Sequence, residues 1–464
     1  MKRHIVWLIA LSLSVLGAPI ASDTHAQEVP SRTRTVTEPV RITVEDYTLP
    51  NGLHVILSRD ESVPVVAVNL WYHVGSGDEE PGRTGFAHLF EHMMFQGSEN
   101  IGDDAHFRLI QEAGGTLNGS TSADRTNYYQ AVPANFLERV LWQEADRMAA
   151  LLPAMTQEKL DNQRSVVQNE RRQRYDNAPY GLAYETLGAA LYPDGHPYSW
   201  STIGSLEDLN AASMEDVQAF FRKYYAPNNA SLAIVGDFDP EDAKDWVARY
   251  FADIPSGPPI ERPDPEPVTL AAEKRLVLED RVQLPRLYIA WHTPALYEPG
   301  DAELDVLSGV LAGGRSSRLH QRLVFEDQVA QFVSASQASR EMASFYTITV
   351  QARPGVDLGR IEAIVDEEIT RLAAEPPTER EVQRARNNLE ASFVQGMQTY
   401  LNRADRLNAY ATYTGDPAYL EQDFARYGRV TAEAVQHVVQ RYLTGNRVVL
   451  SIVPQGQTEL QASR

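Results

Sequence analysis

The chain has 464 residues, with 42 Lys+Arg against 63 Asp+Glu, a formal net charge of −21, no cysteine and 43% hydrophobic residues. That length exceeds one ordinary core and calls for at least two domains, while the composition excludes disordered, collagenous and multi-span membrane classes. Without cysteine there is no disulfide framework, no thiolate nucleophile and no Cys-ligated metal, so any metal must be held by His and carboxylates.

Residues 1–26 read as a removable signal peptide: Lys2 and Arg3 precede an apolar stretch from Ile5 to Leu16, and Thr24-His25-Ala26 offers a small-x-small cleavage site. The alternative is an N-terminal membrane anchor, for which the run is short. Cleavage near Gln27 removes Lys2, Arg3 and Asp23, which leaves 40 basic and 62 acidic residues and a net charge of −22. Such a surface repels phosphate backbones, so nucleic acid is not expected as a partner. Export without cysteine suits a periplasmic protein, with no membrane span in the mature chain.

After a polar stretch to about Pro39, residues 42–57 read as two short strands around Asn51-Gly52, a hairpin turn signal. Residues 65–74 form a further strand. Helical patterns follow at 85–95, 103–113, 133–152 and 156–175, interrupted by strands at 116–122 and 127–132. This mixed order fits an α+β fold better than regular βαβ winding. Six of the thirteen residues in 255–267 are proline, so this segment cannot be helical and reads as a semi-rigid linker between domains at 40–254 and 268–460.

The two halves look related. Residues 213–235 lie without gaps on 431–453, an offset of 218, with 8 of 23 positions identical, and both copies read as helix, turn and strand. The competing explanation is shared composition, but the matches include Asn and Gln as well as core types.

Within the 85–95 helix, His88 and His92 are one turn apart on the same face, a spacing that lets two imidazoles hold one divalent ion and suits zinc in a Cys-free chain. Glu91 lies within a turn of both, where its carboxylate could take a proton from a water on the metal. Two histidines can also share a helix by chance, so a third ligand decides. The candidate is Glu170, on the 156–175 helix with 77 residues between it and His92; taken alone it reads as an ordinary surface carboxylate.

At this point the chain resembles the pitrilysin family of inverzincins, zinc peptidases that include insulin-degrading enzyme and the mitochondrial processing peptidase. That family carries H-x-x-E-H with a ligand Glu roughly 75 to 80 residues downstream, a pattern that His88, Glu91, His92 and Glu170 match. The likeness extends to Gly114-Gly115-Thr116-Leu117-Asn118-Gly119-Ser120-Thr121, Asp176-Asn177-Ala178-Pro179-Tyr180-Gly181 and His196-Pro197-Tyr198. It implies a clamshell of two homologous duplicated domains, each a mostly antiparallel sheet packed with helices. It also implies one Zn2+ per chain on the N-terminal half, held by His88, His92 and Glu170, with Glu91 as catalytic base. The peptide substrate is expected between the halves, lying as an extended strand along 117–121, with Asn118 as a substrate contact or else a plain sheet residue.

Two departures from the family stand out. Many members have a second Glu seven residues before the ligand Glu; here that position is Gln163, an amide that either supports a ligand imidazole or merely packs. In the C-terminal half, Gly313-Gly314-Arg315-Ser316-Ser317-Arg318-Leu319 is present, but Val324 and Phe332 stand about where the family's substrate-holding Arg and Tyr are expected. The resemblance therefore implies a partner, a metal-free homologous sister subunit carrying Arg and Tyr, or a homodimer. The alternatives are that Arg315, Arg318 or Arg322 does that work, or that the chain is a catalytically idle scaffold. His54, His73, His292 and His320 read as packing or surface residues.

Overall fold

The computed structural model describes residues 30–36, 40–103 and 105–462; the expected signal peptide lies outside them. In the N-terminal half the chain forms β1 (Arg32–Val36), β2 (Ile42–Thr48), β3 (His54–Arg59), β4 (Val65–Tyr72), α1 (Phe86–Met93), α2 (Ala105–Glu112), β5 (Thr116–Thr121), β6 (Thr126–Pro133), α3 (Leu137–Ala154), α4 (Gln157–Arg171), α5 (Ala183–Leu191), α6 (Leu206–Ala211), α7 (Met214–Tyr224), β7 (Ala230–Gly236) and α8 (Pro240–Phe251). Residues 255–270 contain neither helix nor strand. The C-terminal half follows with β8 (Lys274–Asp280), β9 (Arg286–Thr293), α9 (Asp301–Ala312), the single turn α10 (Arg318–His320), β10 (Ala330–Ala338), β11 (Ser344–Ala352), α11 (Leu358–Ala374), α12 (Glu379–Gly396), α13 (Tyr400–Thr414), α14 (Leu420–Gly428), α15 (Ala432–Val438) and β12 (Val448–Pro454).

The strands make two sheets, ordered β1-β2-β3-β7-β4-β6-β5 and β8-β12-β9-β11-β10. Every neighbouring pair is antiparallel except β3·β7 and β8·β12. Strip β1 and β2 from the first sheet and the two orders coincide, with β7 matching β12 at the offset of 218 read from the sequence. The duplication is thus present in topology as well as in residue pattern.

The central strands β4, β7 and β12 are buried along almost their whole length, and mostly apolar, because both faces are covered. In the first sheet, one face packs with α1, α3, α7 and α8 into a core containing Val68, Leu70, Leu89, Phe90, Val140, Leu141, Phe221 and Val247. The second sheet builds the equivalent core with α9, α11 and α15. The opposite faces are covered by exchange. Helix α13 of the C-terminal half lays Tyr400, Ala404 and Leu407 on Ala67, Ala233 and Val235 of the first sheet. Helix α5 of the N-terminal half lays Ala183, Leu187 and Leu191 on Ala290, Leu450 and Ile452 of the second. Polar contacts fix each helix in place: Asp405 accepts from Trp71 Nε1 (3.0 Å) and Asn127 Nδ2 (2.9 Å), and the Ala190 carbonyl accepts from Lys274 Nζ (2.7 Å).

Two expectations require correction. The stretch before Pro39 is not featureless, since Arg32–Val36 pairs antiparallel with β2. Its arginines hid it from hydropathy, yet they are what tie it down: Arg32 and Arg34 both reach the buried Asp46, at 2.8 and 2.7 Å. The helix expected over 156–175 stops at Arg171, and a wider turn occupies Arg172–Asp176.

Candidate metal centre

Helix α1 buries Phe86, Leu89, Phe90 and Met93 in the first core, and the spacing that does so leaves His88 and His92 together beside it, their ring centroids 4.9 Å apart. Helix α4 buries Leu160, Gln163, Val167 and Arg171 along one stripe, and Glu170 flanks that stripe. Lys159 of α4 donates from Nζ to the carbonyl of Gln96, in the turn that follows α1, and to that of Ala154 at the end of α3, at 2.8 and 2.9 Å. Glu170 Oε2 then lies 3.3 Å from His92 Nε2 and 3.8 Å from His88 Nε2. The other carboxylate oxygen is held by Arg174 at 2.5 Å.

The donor set fits zinc. One ligand atom from each of His88, His92 and Glu170 falls within 4.8 Å of the others, the one such group of His and carboxylates found among the described residues. Donors around a tetrahedral zinc stand roughly 3.3–3.5 Å apart at zinc–ligand distances of about 2.0–2.1 Å. The protonation states agree. Burial, reinforced by neighbouring His92, pushes the His88 imidazole down to about 4, so it is neutral and able to ligate. The His92 contact, with His88 and Arg174 behind it, holds Glu170 below the usual carboxylate range. The Nδ1 atom of His88 is buried without a hydrogen-bond partner.

Glu91 is buried between α1 and β5. Its Oε2 accepts from Thr121 Oγ1 at 2.5 Å. It lies close over Gly119, where a Cβ would stand 3.0 Å from Oε1, tighter than ordinary contact. Burial pushes the Glu91 carboxyl up, and the Thr121 hydroxyl opposes that shift. A carboxylate placed thus can hold a proton taken from a water in the cleft.

The cleft around these groups has a volume of about 500 Å³. Gln163 lies in its floor and Asn118 on its rim, where the amide Oδ1 accepts from the Gly119 N–H at 2.9 Å. Strand β5 is the terminal strand of its sheet, paired only with β6. All lining residues belong to the N-terminal half. Val324 packs on the second core and Phe332 stands on the edge strand β10 with 51% of its surface exposed; neither lines the cleft. The nearby arginines are engaged elsewhere. Arg318 forks onto Glu381 (2.7 and 2.9 Å), Arg322 binds Glu367 and Glu368 (2.9 and 3.1 Å), and Arg315 lies over the Phe325 ring.

Thr121, Arg174 and Lys159 were not anticipated as parts of the site. Arg174 stands four residues after Glu170 and so follows from helix spacing, whereas the Thr121 hydroxyl and Lys159 make contacts between elements whose approach no residue spacing encodes. The scattered histidines keep away from it: His54 contacts Asp46 at 3.1 Å, His73 contacts Glu341 at 2.7 Å, and His292 is pushed down to about 4 by burial.

Comparison with known proteins agrees with this geometry. The family model described as Insulinase (Peptidase family M16) matches residues 54–198, and that described as Peptidase M16 inactive domain matches 211–389. Among relatives, Zinc protease PqqE of Helicobacter pylori is 28% identical over 84% of this chain and 86% of its own. A probable mitochondrial-processing peptidase subunit beta of Arabidopsis thaliana is 24% identical over 88% of this chain and 77% of its own. The crystal structure of a protease from Helicobacter pylori shares the fold, with a TM-score of 0.83 at 24% identity over 92% of this chain and 100% of that one.

Proposed function

Because the chain belongs to the M16 peptidase family, we propose that it is a zinc-dependent metalloendopeptidase that cleaves extended peptides. The observation that carries this reading is the convergence of His88, His92 and Glu170 on one point of a cleft that also holds Glu91. Zinc held there supplies Lewis acidity toward a carbonyl and acidifies a water. His88, His92 and Glu170 would hold it, with Arg174 keeping its contact on the other Glu170 carboxylate oxygen. Glu91 takes the water proton and delivers it to the leaving amine, a role for which a buried carboxylate with a raised pKa is suited. The peptide lies against the free edge of β5, whose backbone offers strand hydrogen bonds, with Asn118 beside it.

The description of an inactive domain falls on residues 211–389, outside the ligand set, and so does not favour an idle scaffold. Export to the periplasm, supported by the charged and apolar pattern of residues 1–26, completes the proposal. Among the described residues no helix is long and apolar enough to cross a membrane. Val324 and Phe332 offer no groups to fix substrate carbonyls, which supports a heteromer with a sister subunit bearing Arg and Tyr, or a second copy. The test is metal analysis together with a peptidase assay with and without chelator. Chelator-sensitive cleavage with about one zinc per chain is expected; cleavage indifferent to chelator would overturn it.

A further inference from the structure

The donor set is divided between two helices, α1 and α4, and at one end Lys159 ties α4 to the turn that follows α1. The other end is tied through a third element, the loop between α5 and α6. Gly204 of that loop has φ +71, and a Cβ there would stand 2.3 Å from the Gly85 nitrogen and from the Thr84 carbonyl. Gly85 caps the start of α1, and a Cβ on it would in turn stand 2.5 Å from the Ile203 oxygen. Two backbones therefore touch with no side chain between them. Hydrogen bonds lock the contact: Ser205 N–H donates to Thr84 Oγ1 (3.0 Å), and the Thr84 N–H donates to Asp208 (3.0 Å). From the far side, Arg171, next in sequence to Glu170, donates from Nη1 to the Gly204 carbonyl at 2.6 Å. Its guanidinium is itself fixed by a fork onto Glu185 at 2.8 and 3.0 Å, and Glu185 also accepts from Ser201 Oγ at 2.8 Å.

We propose that Gly204, with Arg171, is a positioning residue that sets the separation of the two ligand-bearing helices and thereby the affinity of the site for zinc; the proposal rests on the zinc reading above. The path runs from the start of α1 across the Gly85–Gly204 contact to Arg171 and so to Glu170. Backbone contacts of this kind do not compress. Ordinary contact begins at 3.4 Å, so a methyl group at 204 forces α1 or the loop back by about 1 Å, against the ~0.5 Å within which a designed metal site must be held.

The experiment compares Gly204→Ala, Arg171→Met, Arg171→Lys and a control, Gly300→Ala, in the full chain. Gly300 caps α9 with φ +108, far in sequence from the site; a side chain there is strained by the backbone angle, but its Cβ would meet only side-chain atoms, at 3.3 Å. Zinc Kd is measured by chelator competition, and the visible spectrum is recorded with Co2+ in place of zinc. Gly204→Ala should weaken zinc at least tenfold and shift the cobalt bands, Arg171→Met should do the same in smaller measure, and Arg171→Lys should recover part of the loss. Gly300→Ala should lower the melting temperature yet leave Kd within twofold. Folded Gly204→Ala binding zinc as wild type does would overturn the proposal, and if that variant fails to fold, wild-type affinity in Arg171→Met would do so. Equal weakening in Gly300→Ala would likewise overturn it, as a mere stability effect. A wild-type chain that binds no zinc would sink both this inference and the reading beneath it.

Discussion

Under the proposed function, Glu91 and the three zinc ligands divide their work in a way that mutation can separate. Glu91→Gln keeps the side chain's size and leaves the imidazoles and Glu170 in place, but the amide cannot take a proton. Turnover should fall at least about 10²-fold with zinc content unchanged, measured as kcat alongside metal analysis. His88→Ala, His92→Ala and Glu170→Gln should each lower zinc occupancy instead, since each removes or weakens one of three protein donors; a Glu170→Gln chain that keeps tight stoichiometric zinc would show the third donor to lie elsewhere. At this scale the sequence was unusually legible, because His88, Glu91 and His92 sit on one helix and their spacing is their geometry. Thr121, which binds the very carboxylate in question, was not legible, because a hydroxyl on a strand gives no sign of the helix it will face.

Helices α4 and α12 occupy equivalent places in the order of the two halves, and a threonine caps the start of each, with Lys159 at the third position of α4 and Glu381 at that of α12. Thr378 caps α12 and its Glu381 completes a capping box, while Arg318 grips the same carboxylate. Burial alone would raise Glu381, but Arg318 and Thr378 hold it at about 2 against an ordinary 4.5. A depressed carboxyl contributes stability that is present above its unfolded pKa and lost as pH falls through the folded one. Glu381→Gln should therefore cost about 1 kcal/mol near neutrality, and its difference from wild type should shrink between pH 4.5 and 2, as read by denaturant melts at a series of pH values. A difference that grows on acidification would refute the assignment. Long periodic elements such as these could be read from their apolar stripes. Strand β1 could not, because an edge strand held by Arg34 and Asp46 has no apolar face to display.

For the whole molecule, the duplicated halves are visible in the sequence of residues 213–235 and 431–453, but the exchange of α5 and α13 is not, since each helix buries its stripe on a sheet from the other half. The exchange predicts cooperative unfolding. Leu407→Ala, at a fully buried contact of α13 with the first sheet, should cost about 2–5 kcal/mol and lower one shared transition; two separate transitions, only one of them shifted, would contradict it. The cleft predicts dependence on a partner. Purified alone, the chain should hold about one zinc yet cleave peptides slowly, and a sister subunit bearing Arg and Tyr should raise kcat/KM at least tenfold, since positioning can carry several kcal/mol of a barrier. Full activity in a strictly monomeric preparation would refute that requirement. The exchange also sets a timetable for synthesis. When β7 leaves the ribosome, the first sheet has all its strands but one face still lacks its cover, and Thr414 at the end of α13 follows 178 residues after Gly236. At roughly 5–20 residues per second, a nascent chain carries that apolar surface for about 10–35 s, a window in which a chaperone can bind it and any message truncated at the proline-rich linker yields a product that stays adhesive.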